Sequence, residues 1–319
     1  MLFADDAALV SHSEDGLQRL LDRFSNSCEL FGLTISLKKT QVMGQATPGP
    51  PAMNIKGAEL EVVHQLQYLG STVTNILSLD VEINKRIGMA YTTLSKLTKR
   101  VWTNKHLTVH TKANVYKACV ISTLLYGSES WTTYSNQERK LQTFHLRCLR
   151  RILGTTWKDK VTNNDVLSRA GIPSMFTVLR QRRLRCLSHI RRMDDGRIPK
   201  DLLYGQLATG DRGRRRPHLR FKDVCKRDLK ACNIDTEAWE SFADNRTLWK
   251  QLVAEGLKSS ENAVQDEYDR KRARRSDSQN RQPDTTEASD FVCQYCCRVC
   301  KSRIGLFSHM RRCSTSSLE

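Results

Sequence analysis

Three consecutive segments between Asp80 and Gly154 carry apolar residues at the helical period, and they commit the middle of this chain to a helical bundle. Ile83, Ile87, Ala90, Leu94, Leu97 and Val101 form one stripe, with Lys85, Arg86, Lys96, Lys99 and Arg100 on the other faces. His110 to Tyr126 is a more apolar segment that stops at Gly127. Ser135-Asn136-Gln137-Glu138 reads as a capping box. It opens a third helix carrying Leu141, Phe144, Cys148, Leu149 and Ile152, which Gly154 ends.

Before this bundle the pattern is mixed. Leu2-Phe3-Ala4-Asp5-Asp6-Ala7-Ala8-Leu9-Val10 predicts a β-hairpin: a strand, an acidic turn, and a strand through Ala7 to Val10. Glu14 to Phe31 predicts an amphipathic helix with Leu17, Leu20, Leu21, Phe24, Cys28 and Phe31 on one face, Ser13 as its N-cap and Gly32 as its stop. Leu33, Ile35 and Leu37 alternate with Thr34 and Ser36, the pattern of a half-buried strand, which delivers Lys38 or Lys39 at its end. Gly44 to Met53 is a turn-rich connector. Asn54 to Val63 predicts a hairpin turning at Lys56-Gly57, and Tyr68 to Val73 predicts a further strand.

Beyond the bundle, Thr162-Asn163-Asn164-Asp165 opens a short helix that Gly171-Ile172-Pro173 closes. The segment from Arg180 to Lys222 holds 14 Lys and Arg against 4 Asp, a net of +10. Arg212, Arg214, Arg215 and Arg216 cluster in a Gly/Pro-interrupted loop flanked by Tyr204 and Phe221, which suits phosphate contacts and stacking on unpaired bases. Asp235 to Val253 gives two short helices whose Trp239 and Trp249 share a face with Leu and Phe and read as core. Arg270 to Arg275 is a basic run, either a solvated helix end or a nuclear-import-like patch. Ser276 to Ser289, almost without apolar residues, reads as a disordered linker.

The C-terminus carries the sharpest spacing. Cys293, Cys296, His309 and Cys313 form C-x2-C-x12-H-x3-C, which fits a ββα zinc finger with Cys in the last ligand position. Two thiolates come from a hairpin knuckle and two ligands from one helix face. A unit this small and this poor in apolar residues needs such a staple. Cys297 and Cys300 form an overlapping C-x2-C, so the ligand set stays ambiguous from the sequence.

The net charge of +18 predicts an acidic polymer as partner, nucleic acid before membrane. No run of 18 apolar residues is present, and the N-terminus has no signal-peptide pattern. The expectation is an intracellular protein, nuclear or cytoplasmic, with its eleven cysteines reduced.

Phe3-Ala4-Asp5-Asp6 resembles the [YF]-x-D-D signature of reverse transcriptases. The helix that follows, the lysine segment at Gly32 to Thr40 and the Gln67-Tyr68-Leu69-Gly70 segment come in the order seen in non-LTR, LINE-type retrotransposon polymerases. Ile198 to Gly205 leading to Arg220-Phe221-Lys222-Asp223 is also similar to a stretch of those polymerases. The resemblance implies RNA-templated DNA synthesis on a template–primer of RNA and DNA, with two Mg²⁺ ions held in part by Asp5 and Asp6. It implies that Lys38 or Lys39 assists at phosphate, that Tyr68 belongs to a primer-grip hairpin, and that the bundle is a thumb. The family's third aspartate lies well upstream of its acidic hairpin, and only a few residues precede Asp5 here. The expectation is therefore a C-terminal portion of a larger polymerase, missing its N-terminal half and inactive alone. A non-catalytic nucleic-acid-binding zinc-finger protein, left from a decayed or repurposed element, is the alternative.

The expected fold is α+β and mostly helical. Residues 1–75 form a partial palm with the grip-like hairpin, 76–160 a thumb-like bundle, 161–256 a basic helical region, 257–290 a disordered linker and 291–315 a zinc finger.

Overall fold

The structure, a computed structural model, describes residues 2–47, 49–205, 218–280, 291–300 and 302–313. The chain divides into two compact units, Met1–Glu261 and Asn262–Glu319. The described residues are mostly helical, with small two-stranded sheets.

The first unit opens on a hairpin. Strand β1 (Leu2–Phe3) pairs antiparallel with β2 (Asp6–Ala7), with Phe3 opposite Asp6, so the chain reverses at Ala4-Asp5. The second strand ends at Ala7 and does not reach Val10. Helix α1 (Glu14–Leu30) starts where Ser13 accepts the Gly16 N–H at 3.2 Å. Its predicted stripe is only partly covered: Leu21 is buried, whereas Leu20 and Phe31 are exposed. Strands β3 (Gln41–Val42) and β6 (Glu61–Val62) pair in parallel. Strands β4 (Asn54–Ile55) and β5 (Ala58–Glu59) form the hairpin expected at Lys56-Gly57. Both turn residues have positive φ, 51° and 84°, as a two-residue hairpin loop demands. Gln18 fastens this hairpin to α1, donating to Asn54 O at 2.8 Å and accepting from Asn54 N–H at 3.1 Å. Leu21, Val42, Met53, Ile55 and Leu60 make the small core beneath.

Two β expectations change here. The strand predicted over 33–37 does not form; the chain runs irregularly to a turn at 37–39. Alternation alone cannot make a strand without a ladder partner, and no described strand lies beside this stretch. Ile35 reaches the small core while Leu33 and Leu37 stay exposed. The single strand predicted through Tyr68 to Val73 is instead two, β7 (Gln65–Tyr68) and β8 (Ser71–Thr74), turning at Leu69-Gly70 with φ of 46° and 79°.

Helix α2 (Asp80–Lys96) follows, then a wide helical turn at Thr98–Trp102. Helix α3 (Val109–Val115) runs through a wide segment at Tyr116–Ile121 into α4 (Ser122–Leu124), stopped by Gly127 at φ 71°. Helix α5 (Ser135–Leu153) is capped one residue earlier than predicted, at Tyr134 instead of Ser135: Gln137 accepts the Tyr134 N–H at 3.0 Å. Glu138 is freed to turn inward to Thr133 at 2.7 Å. Helix α6 (Asn163–Ala170) has Thr162 and Gly171 as its predicted ends. These helices and the first half of α7 (Met175–Arg191) enclose the main core, which includes Ile83, Leu94, Trp102, Tyr116, Leu141, Leu149 and Leu179.

A second core lies under the later half of α7. There α8 (Ile198–Tyr204), α9 (Phe221–Ala231), α10 (Trp239–Asp244) and the start of α11 (Arg246–Asn280) bury Leu184, Leu187, Leu229, Trp239 and Trp249. The two tryptophan rings sit 6.2 Å apart, and Trp249 Nε1 donates to Leu184 O at 3.1 Å. Gly256 permits the close approach of α11, because a Cβ there would stand 2.5 Å from Cys232 O.

Helix α7 also corrects the reading of charge. Arg183 is fully buried and forks onto Asp228 at 2.6 and 3.2 Å, with Glu138 at 3.1 Å and Thr133 at 3.0 Å. Arg180 joins Asp228 and Ser260; Arg182 reaches Leu125 O; Arg192 reaches Ala243 O. A buried guanidinium needs a partner for each donor edge, so Arg183 ties helices together rather than awaiting a phosphate, and Arg180, Arg182 and Arg192, partly exposed, add contacts between elements.

Helix α11 runs to Asn280 where a disordered linker is expected from 257. The stretch is polar but rich in good helix formers, and it is laced by i,i+4 contacts such as Lys271–Glu267 at 2.5 Å and Gln265–Asp269 at 3.0 Å. The remainder of that linker, 281–290, lies outside the described residues, as do Arg212, Arg214, Arg215 and Arg216. Among the described residues no helix is long and apolar enough to cross a membrane.

Candidate metal centre and nucleic-acid interface

The C-terminal cysteines fold on a knuckle. Val292 bridges Val299 antiparallel; Cys293 N–H donates to Arg298 O at 2.9 Å, and Cys300 N–H to Phe291 O at 2.8 Å. Between these arms Cys297 N–H returns to Cys293 O at 2.9 Å, with Cys297 left-handed at φ 55°. Ser302 then caps α12 (Arg303–Cys313) by accepting the Gly305 N–H at 3.1 Å. His309 and Cys313, four residues apart, share one face of that helix. Leu306, three residues before His309, is half-buried.

The ligand atoms of Cys293, Cys296, His309 and Cys313 all lie within 4.8 Å of one another, and Cys296 Sγ stands 3.0 Å from His309 Nε2. Tetrahedral zinc, with bonds of about 2.3 Å to sulfur and about 2.0 Å to nitrogen, spaces its ligands at a similar range. This donor set fits zinc. It also resolves the overlapping C-x2-C, since Cys297 and Cys300 stay out of the group. Burial opposes ionisation of Cys293, but the N–H groups of Tyr295 and Cys296 prevail and hold its thiol below the usual value. Cys313 is pushed up to about 11, first by its hydrogen bond with Cys296.

Among the described residues this is the one place where three or more such ligands converge. Asp5 occupies the hairpin turn and Asp6 opens β2, both exposed. Lys38 and Lys39 are exposed on the turn after Ser36, and no ion pair or hydrogen bond joins them to Asp5 or Asp6. Tyr68 ends β7, half-buried and paired with Ser71. Among the described residues, then, no direct polar contact joins the acidic pair to the lysines.

The Leu69-Gly70 turn beside Tyr68 is held firmly. Arg86 on α2 donates to Gly70 O and to Glu82 Oε1, the latter at 2.7 Å; Glu82 Oε2 accepts from Thr72 N–H at 2.8 Å; Tyr126 Oη donates to Leu69 O at 3.1 Å. Desolvation works against the Glu82 carboxylate, yet the hydrogen bonds from Arg86 and Thr72 win and keep its pKa below the ordinary value.

The basic face expected on the first helix of the bundle extends onto α5 through Arg147 and Arg151, which the sequence reading did not single out although the signal was plain. No Asp or Glu occurs from 83 to 128 or from 139 to 158. Arg151 Nη2 donates to Thr98 Oγ1 at 3.1 Å, which sets the C-terminal end of α5 beside the wide turn after α2. Lys96, Lys99, Arg100, Arg147 and Arg151 are all exposed there.

No protein-family model matches this chain. An uncharacterized transposon-derived protein of Caenorhabditis elegans is 23% identical to it over 271 residues, covering 81% of this chain and 96% of that protein. No solved structure matches.

Proposed function

We propose that this chain derives from a transposable element and is the C-terminal portion of a LINE-type reverse transcriptase that binds nucleic acid and is steadied by structural zinc. In this reading the N-terminal hairpin, α1 and the β7–β8 hairpin belong to a palm with its primer grip, and the helices from α2 to α5 form the thumb. The carrying observation is the Phe3-Ala4-Asp5-Asp6 hairpin, whose chain reversal presents Asp5 and Asp6 to solvent ahead of an amphipathic helix. The uncovered apolar side of α1 and the exposed Leu33 and Leu37 add support, because a palm sheet would cover such a face. The transposon-derived relative agrees with the origin.

Asp5 and Asp6 would contribute ligands to two Mg²⁺ ions in a complete polymerase, with Lys38 or Lys39 near the triphosphate. Two carboxylates with no third ligand converging on them among the described residues make a weak Mg²⁺ site, and the chain alone is expected not to polymerise. Primer extension on an RNA template with Mg²⁺ tests this. No incorporation is expected; incorporation abolished by Asp5→Ala would overturn it. The second reading, a repurposed non-catalytic binding protein, is favoured by the contrast between the converged zinc ligands and the open acidic pair.

A further inference from the structure

The zinc unit carries an unusual outer surface. Tyr295 on the knuckle is 62% exposed, and on α12 Ile304 is 82% and Phe307 60% exposed. Ile304 and Phe307 are three residues apart and therefore neighbours on one helix face. Around them stand Arg298, Arg303 and Arg311, all exposed, and no Asp or Glu occurs from 291 to 313.

A finger that reads duplex DNA places long polar side chains at positions −1, 3 and 6 of its helix, where they reach base edges in the major groove. With Arg303 as the first helical residue, those positions fall on Ser302, Gly305 and Ser308. Gly305 has no side chain, and two serines reach little. The groups this helix presents are flat or apolar, with cations beside them. That combination suits unpaired bases stacking on aromatic rings, with their phosphates on arginine. The cationic rim favours an anionic partner, and apolar faces on an anionic polymer are what a single strand offers and a duplex hides.

We infer that the zinc unit binds single-stranded nucleic acid by stacking on Tyr295 and Phe307 rather than reading a duplex. The inference rests on the nucleic-acid reading above and specifies its substrate class. The test uses the full chain with zinc supplied, at salt high enough to suppress the helical unit's electrostatic contribution. Affinity is measured for an oligonucleotide as a single strand and as a duplex. The single strand is expected to bind more tightly. Tyr295→Ala and Phe307→Ala are each expected to weaken it by about five-fold or more, and Phe307→Trp to preserve it. Cobalt spectra of the variants check that the metal site is intact, since both rings are exposed. A bromouracil-substituted strand is expected to crosslink to residues 291–313. Equal affinity for duplex, or single-strand binding unchanged in both alanine variants, overturns the inference and leaves the face to a protein partner. Failure of the full chain to bind either form when the salt is lowered as well overturns the nucleic-acid reading itself.

Discussion

The guanidinium of Arg86 lies 4.6 Å from the centre of the Tyr126 ring, and it donates to Gly70 O at the turn that Tyr126 also holds. One buried cation thereby joins α2, the end of α4 and the tip of the β7–β8 hairpin. Glu82 is the counter-charge that makes its burial tolerable. Glu82→Ala leaves Arg86 buried and unpaired and is expected to cost about 3–5 kcal/mol. Denaturant unfolding measures the loss, and hydrogen exchange is expected to show faster opening of the β7–β8 amides.

A second buried site predicts acid sensitivity. His145 Nε2–H donates to Pro173 O at 3.2 Å, so Nδ1 accepts from Tyr116 Oη at 2.9 Å. The ring is fully buried, and desolvation lowers its pKa from 6.5 to about 4. A depressed folded value means that its stabilising contribution is complete above pH 6.5 and is lost as pH falls towards 4. The loss approaches about 3 kcal/mol at the lower limit. Stability measured across that window is expected to fall less steeply in His145→Gln, which removes the titration.

Zinc removal is expected to affect the two units differently. Cys293→Ser, His309→Ala or a chelator should unfold the knuckle and α12, since so small a unit lacks a core of its own. Native mass spectrometry is expected to show one zinc per chain, lost in these variants and retained in Cys297→Ser. The thermal transition of the helical unit should stay in place.

The acid-free surface predicts an electrostatic signature. Each of Lys99→Ala, Arg100→Ala and Arg147→Ala is expected to weaken binding to RNA–DNA duplexes without regard to sequence, and to reduce the salt slope by about one charge where a phosphate contact is lost. Fluorescence anisotropy over a salt series measures it.

What the sequence revealed divides by distance along the chain. The Lys56-Gly57 turn and the Thr162–Gly171 helix are local matters, and both are legible from neighbouring residues. The Leu69-Gly70 turn is not: Leu at φ 46° is a poor turn residue, held by Arg86 and Tyr126 from 16 and 57 residues away. Polarity suggested a linker after Gly256, but helix propensity and i,i+4 pairs decided the outcome. Counting arginines on α7 could not reveal that Arg183 is spent on Asp228. At the zinc site, spacing named the four ligands, while the exclusion of Cys297 and Cys300 needed the geometry of the knuckle.

The central claim, that the N-terminal hairpins belong to a polymerase palm, is tested most directly by crosslinking. An RNA template with a DNA primer carrying a photoreactive 3′-terminal nucleotide is bound to the full chain, and the labelled residues are mapped. The account predicts label at Phe3–Ala7 or at Gln65–Thr74. Label confined to the helical surface and the zinc unit would contradict it and establish the non-catalytic reading instead.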